Sequence, residues 1–446
     1  MKKNKDWNIA FEISPILAAS GSYGDKSGVY RINYNLIKHL SKYLNENKIQ
    51  KKIYLYTLTP HLSFNKNYDL ISLLEKDNVE FLPLPYYIVP SLMDYPISNL
   101  PFIRFIVKYL DKIYLKILEN VLFVKYLNVL NEKLKELDVK IVHHSESGFA
   151  NLKNCLSVIH INDLSPLKFP FWSREQTIDI HKRKLMFAEQ FCEGIICISE
   201  NTKKDVIGYF DQLNLEVGHK LKTIYLGATQ LVEGKQPSFE KLNQIINQNS
   251  STALVKRKYL LYFGTIEPRK NLITLTTVFL HLKKIGKLKG YKLVLVGGKG
   301  WGKTHKLVSE FIKEQYPIRN ERDILLMDFI SDEYLSTLIS NARGVVYTPF
   351  YEGFGLPILE SMQHQTPVIS SDNSSMPEVG GKAVLYANPT DPKSIETAIL
   401  KLVTDDDLYE KLKKLSKIQA DKFSWDKNAA ETFKFYESLI EKHHSK

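Results

Sequence analysis

A chain of 446 residues exceeds what one hydrophobic core usually serves, and 44% hydrophobic and 11% aromatic residues supply enough apolar side chain for two or three packed domains. That composition excludes a disordered polymer, while a formal charge of +12 favours acidic partners such as phosphorylated substrates, anionic lipid or nucleic acid. No RNA-recognition signature, zinc finger or dense Lys/Arg tract accompanies the charge, so no nucleic-acid partner is expected.

Met1-Lys2-Lys3-Asn4-Lys5 is basic in the manner of a secretion signal, but Glu12 and Pro15 interrupt the apolar segment such a signal needs. No later run reaches about 18 uncharged apolar residues, so a cytoplasmic chain without a membrane span is expected. Cys155, Cys192 and Cys197 form an odd set without zinc spacing and read as buried thiols.

Asn8 to Ile16 reads as a first strand, followed by a loop with Gly21, Gly24 and Gly28 and a helix carrying Val29, Ile32, Leu36, Ile37 and Leu40. Ile53 to Leu58 gives a second strand. From Leu82 to Pro101 the chain is irregular and rich in proline and aromatics, either a lip around a ligand or a packed loop. Residues 102–137 are helical in pattern, with Arg104, Lys108, Lys112 and Lys116 at intervals of four. That stripe fits a solvated face or peripheral contact with an anionic membrane surface.

Val139 to His144 and Leu156 to Ile161 read as buried strands, the second running into Asn162-Asp163-Leu164-Ser165-Pro166. Asp163 is a candidate for orienting a substrate hydroxyl, with a turn or helix cap as the equal alternative. His143, His144 and His160 are weighed as acid–base groups against satisfied core histidines. Gly194 to Thr202 is a strand running into a capped helix, and Leu221 to Leu226 is another strand. Residues 228–257 lose periodicity and read as a linker.

Tyr259 to Gly264 opens the second half as a buried strand, followed by Thr265-Ile266-Glu267-Pro268-Arg269-Lys270-Asn271. Arg269 and Lys270, at the end of a strand and beside helix amides, suit a diphosphate. Lys292 to Val296 is a strand closed by Gly297, Gly298 and Gly300; Ile324 to Met327 is the next. Gly344 to Pro349 is a buried strand stopped by proline. It leads into Phe350-Tyr351-Glu352-Gly353-Phe354-Gly355-Leu356-Pro357-Ile358-Leu359-Glu360, where Pro357 suits the first helical position. The glycines admit close approach to a ligand, and a new helix turn makes an anion-receptive corner. Glu352, and Glu360 within the first helical turn, are placed to accept hydrogen bonds from sugar hydroxyls. Further strands at 367–370 and 383–386 and helices at 392–403, 407–421 and 425–440 finish the chain.

Two glutamates with seven residues between them around Gly-Phe-Gly-Leu-Pro, together with Gly-Thr-x-x-Pro-Arg-Lys-Asn, resemble the signatures of the retaining GT-B nucleotide-sugar glycosyltransferases. The resemblance implies an α/β fold of two doubly wound Rossmann-like domains facing a cleft. It divides the chain into an acceptor-binding domain (1–228), a linker (229–257), a donor-binding domain (258–424) and a final helix (425–446) that crosses back.

By the same resemblance Arg269 and Lys270 hold the diphosphate, Glu352 faces the donor sugar and Glu360 holds the ribose. Gly264, Phe354, Gly355 and Leu356 present backbone to the donor, Gly28 lies over its phosphates, and Phe329 and Ile330 flank the base. No metal and no cofactor are expected, because no credible Asp-x-Asp loop is present and two cations are. The implied reaction moves a sugar, with mannose from GDP-mannose the leading choice, onto a glycan or lipid-linked acceptor of surface-polysaccharide synthesis. Relatives often read His-Asp-Leu where this chain has Asn162-Asp163-Leu164, with His160 two residues earlier. A sugar-nucleotide epimerase or phosphorylase of the same architecture, or a non-catalytic anionic-polymer binder, are the rival expectations.

Overall fold

The computed structural model describes residues 7–19, 28–58, 74, 78–83, 121–146, 148–228, 237–250, 253–298, 300, 304–315, 323–328 and 330–445. Strands β1 (Asn8–Glu12), β2 (Ile53–Tyr56), β3 (Val79–Phe81), β4 (Val139–His144), β5 (Leu156–Ile161), β6 (Gly194–Cys197) and β7 (Leu221–Thr223) form one sheet. Its order is β3-β2-β1-β4-β5-β6-β7, and every neighbouring pair from β3 to β5 is parallel. A second sheet contains β8 (Tyr259–Phe263), β9 (Lys292–Val296), β10 (Ile324–Met327), β11 (Gly344–Tyr347), β12 (Val368–Ser371) and β13 (Val384–Ala387). Its order is β10-β9-β8-β11-β12-β13, parallel throughout.

All six residues of β5 and all five of β8 are buried, as expected of strands covered by helices on both faces. Strand order reverses between β1 and β4 in the first sheet and between β8 and β11 in the second. Parallel sheets bind ligands in the crevice at the carboxyl ends of such strands.

The first compact unit comprises Met1–His160, Lys184–Ile195 and Ala429–Lys446. The second comprises Ile161–Arg183 and Ile196–Asn428. The first strand ends at Glu12, and Ser14–Ala19 is a short helix instead of its continuation. The segment expected as a linker contains the helix Phe239–Ser250, with Phe239, Leu242 and Ile246 buried. Asn and Gln on its outer face conceal the apolar spacing.

Residues 121–136 are helical. The basic stripe Arg104, Lys108, Lys112 and Lys116 lies outside the described residues, as do Gly21, Gly24 and most of Leu82 to Pro101. Among the described residues no helix is long and apolar enough to cross a membrane.

In the first unit His143, His144 and His160 belong to the core, at 1%, 0% and 4% exposure. His143 Nδ1 lies 2.5 Å from the Tyr436 hydroxyl, and His143 Nε2 lies 2.6 Å from His160 Nδ1. Both contacts are satisfied with neutral rings when His143 accepts from the Tyr436 hydroxyl at Nδ1 and donates from Nε2 to His160 Nδ1. Tyr436 belongs to the last helix, Trp425–His444, so this chain of bonds fixes that helix against β4 and β5.

Burial pushes His160 down to about 4 and His144 down to about 3, and lowers His143 with help from the neighbouring histidines. A base held neutral in the fold but protonated in the unfolded chain withdraws stability as pH falls below its unfolded value of about 6.5. Each such histidine should therefore remove on the order of 2 kcal/mol between pH 6.5 and about 5. Thermal midpoints should fall over that interval while remaining flat from about pH 7 to 8; a constant midpoint down to pH 5 would contradict the neutral assignment.

Candidate active site

The second unit builds its site from the loops that follow β8 and β11. After Phe263 the chain passes Gly264, whose φ of +133° is open to glycine but strained for other residues. It then reaches the turn Pro268–Lys270 and Asn271, which adopts left-handed backbone at φ 62°. Asn tolerates that conformation, and its Nδ2 donates to Thr348 O (3.2 Å) and Pro389 O (2.8 Å). One side chain thus ties together the loops after β8, β11 and β13. Phe350 N donates to Arg269 O at 2.8 Å and completes the stitch.

This stitching brings Arg269, Lys270 and Glu352 together. Arg269 Nη1 lies 2.8 Å from Glu352 Oε1, and its Nε lies 2.9 Å from Glu267 Oε2. Lys270 Nζ bonds the same Glu352 oxygen and the Tyr347 hydroxyl, which also donates to Glu352 at 2.9 Å. Glu352 is held by its backbone as well, its N–H on Ser374 Oγ (3.2 Å) and its carbonyl on Ser375 Oγ (2.9 Å).

Burial alone would raise the Glu352 carboxyl, but Arg269 and Lys270 beside it hold it below the usual carboxylate range. Lys270 moves down, first through burial and then through the Arg269 charge, with Glu352 and Glu267 opposing. Arg269 is pushed well up against its own burial by Glu352, Asp163 and Glu267. The cluster therefore holds fixed cations within a set of carboxylates, donors of the kind a polyanion needs.

Asp163 belongs to this electrostatic group. Its Oδ1 accepts from Ser165 N (2.8 Å) and Ser165 Oγ (2.7 Å), a turn ahead of the helix Ser165–Lys168, whose N-cap is Leu164. Burial raises its carboxyl, but Arg269 and the Ser165 hydrogen bonds bring it below the ordinary value.

The glycines of the central loop answer to neighbouring protein. A Cβ on Gly353 would sit 2.0 Å from the Asn162 carbonyl oxygen, and Thr202 Oγ1 bridges Asn162 O (3.2 Å) and Gly353 O (3.3 Å). Gly355, at φ +103°, begins the helix Leu356–Gln363 against Met376. The helix starts at Leu356, so Pro357 is its second residue and Glu360 lies beyond the first turn, buried at 3% exposure. Phe354 is buried edge-on to Phe423 at 5.9 Å and offers backbone only.

Gly28 opens the helix Gly28–Glu46 in the first unit, with nothing within 4 Å of where a Cβ would stand. Ile330 is half-buried after β10, and Phe329 lies outside the described residues.

Sequence reasoning did not single out Glu267, Tyr347 or Asn271, although each stands inside or beside a quoted motif. It also passed over Glu12, which ends β1 fully buried and accepts from Ser14, Ser145 and Leu58 N. A charged residue at the end of a first parallel strand was the available signal.

Gly353→Ala should displace Asn162 or the loop. It should cost about 1–3 kcal/mol of stability through overpacking and loosen the Glu352 clamp. Chemical denaturation of the variant measures the loss, and a wild-type midpoint would show that the loop has room to yield.

The comparisons with known proteins agree with this architecture. Residues 243–419 match the family model described as glycosyl transferases group 1. The O-antigen chain mannosyltransferase B of Escherichia coli is 38% identical over 300 residues, 67% of this chain and 74% of that protein. The serotype-specific mannosyltransferase WbdA of E. coli is 28% identical over 243 residues, 54% of this chain and only 29% of that longer protein. Among solved structures, a glycosyltransferase from Rickettsia africae superposes with a TM-score of 0.63 at 14% identity, covering 98% of this chain and 99% of that one. With its two doubly wound parallel sheets, the chain is a GT-B-fold glycosyltransferase and belongs to the group 1 glycosyl transferases.

Proposed function

We propose that this enzyme transfers mannose from a nucleotide-diphosphate donor, GDP-mannose, to a hydroxyl of a glycan or lipid-linked acceptor in surface-polysaccharide synthesis, with retention at the anomeric carbon. The observation that carries the reading is the Arg269–Lys270–Glu352 cluster at the strand-order reversal of the second sheet, in a chain 38% identical to an O-antigen chain mannosyltransferase.

Arg269 and Lys270 would meet the diphosphate and offset the charge that builds on it as the bond from the anomeric carbon to the phosphate oxygen breaks. That oxygen leaves with the bonding pair. The acceptor hydroxyl oxygen attacks the anomeric carbon from the same face, and its proton passes to the departing phosphate oxygen. Glu352, released from the cations by the incoming phosphates, would accept from sugar hydroxyls, and Glu360 from the ribose. Gly264, Gly355 and Leu356 would offer backbone to phosphate and sugar. Asp163 would hold Arg269 in place through its charge, and hydroxyl orientation is the second duty open to it. With two cations at the phosphates, no divalent ion is required.

Purified protein incubated with GDP-mannose alone, and then with a saccharide acceptor, separates transfer from epimerisation or phosphorolysis by its products. Lys270→Ala and Glu360→Ala should each lower turnover about ten- to a thousandfold, the loss of one charged contact in the transition state. Added EDTA should leave the rate unchanged. Wild-type turnover in either variant would remove that residue from the site, and transfer without retention would overturn the stereochemical assignment.

A further inference from the structure

Beside the ion cluster the second unit carries a run of half-buried, stacked aromatic rings that ends in an exposed one. Phe169 and Trp172 stack with centroids 4.9 Å apart, and Trp172 stacks in turn on Phe350 at 5.6 Å. Phe171 stands edge-on to Trp172 at 4.9 Å and is 74% exposed, the most exposed of the large hydrophobic side chains among the described residues. A cluster of this kind at the surface marks a binding surface, because folding gains little from an aromatic ring left in water.

The platform is built to keep its shape. Tyr351, 5.6 Å from the Phe169 ring, bonds Asp205 through its hydroxyl at 2.6 Å, and Lys168 on the same loop pairs with Asp205 at 2.5 Å. Phe350 and Tyr351 are also the two residues before Glu352, with Phe350 N on Arg269 O and Arg269 Nη1 3.3 Å from Tyr351 O. The rings are therefore continuous, through backbone, with the candidate catalytic groups.

We infer that Phe171, on the Phe169–Trp172–Phe350 stack, is the binding platform for pyranose rings of the acceptor saccharide. A pyranose offers an apolar face of C–H groups to an aromatic ring and keeps its hydroxyls at the rim, which matches an open ring on a stack that runs through Trp172 and Phe350 to the Glu352 loop. This inference rests on the glycosyltransferase reading for the acceptor's identity, but it can be tested without turnover.

The test is titration of the full chain with an α-linked manno-oligosaccharide, followed by saturation-transfer NMR. GDP titration and co-sedimentation with anionic phospholipid vesicles run in parallel. Phe171→Ala should weaken saccharide binding about three- to tenfold, the value of one aromatic contact, and Phe171→Tyr should restore it. GDP binding should be the same in all three proteins. Equal saccharide binding by wild type and Phe171→Ala, or none by wild type, overturns the platform. Loss of vesicle binding in Phe171→Ala with saccharide binding intact also overturns it, in favour of a lipid surface. Saccharide binding that tracks Phe171 in a protein that binds no GDP and turns over no nucleotide sugar would sink the donor assignment while leaving the platform standing.

Discussion

The site depends on one carboxylate oxygen being shared by two cations. Glu352 Oε1 meets Arg269 at 2.8 Å, Lys270 and the Tyr347 hydroxyl together, in surroundings where none of the three charged side chains is more than 15% exposed. Burying charges costs several kcal/mol per ion and is tolerated only when partners satisfy each of them. Here the partners come from different loops: Glu267 and Tyr351 O for Arg269, Tyr347 for Lys270, Ser374 and Ser375 for the Glu352 backbone. Glu352 is the carboxylate that Arg269 and Lys270 share, so the cluster ties the loops after β8 and β11 together as firmly as the loops position the cluster.

Each sheet has a buried glutamate near its strand-order reversal, and the two are treated in opposite ways. Glu12 ends β1, next to the reversal of the first sheet, and its neighbours are Ser14, Ser145 and the Leu58 amide. With no cation among those partners, burial dominates and pushes its carboxyl up. Glu352, beyond β11 in the second sheet, meets two cations and is held down. A doubly wound sheet supplies the position, and the local charge decides whether the acid there sits above or below its ordinary value.

Strand and helix alternation was legible because buried parallel strands are short apolar runs bounded by glycine and proline, as in Tyr259–Phe263 and Gly344–Tyr347. The pairing of Arg269 and Lys270 with Glu352 was legible only as proximity to the same ligand. That they pair with one another depends on Asn271 and Phe350 joining separate loops, contacts across 77 and 118 residues of sequence in the case of Asn271. The helix Phe239–Ser250 was hidden by its polar face. The use of Gly353 was misjudged for a related reason: a glycine that admits close approach looks the same in sequence whether the neighbour is a ligand or the carbonyl of Asn162.

That last contact also shows what position 162 contributes through its backbone. At position 162 the chain contributes its carbonyl oxygen, which receives Thr202 Oγ1 and lies where a Gly353 Cβ would have to go. Those constraints act on backbone and would be met by histidine or asparagine alike. Asp163, by contrast, uses its side chain on Ser165 and on the charge of Arg269. Substitution at 162 with retention of aspartate at 163 is what this division of labour permits. The segment that leads into Asp163 is held in position through backbone by Thr202 and Gly353.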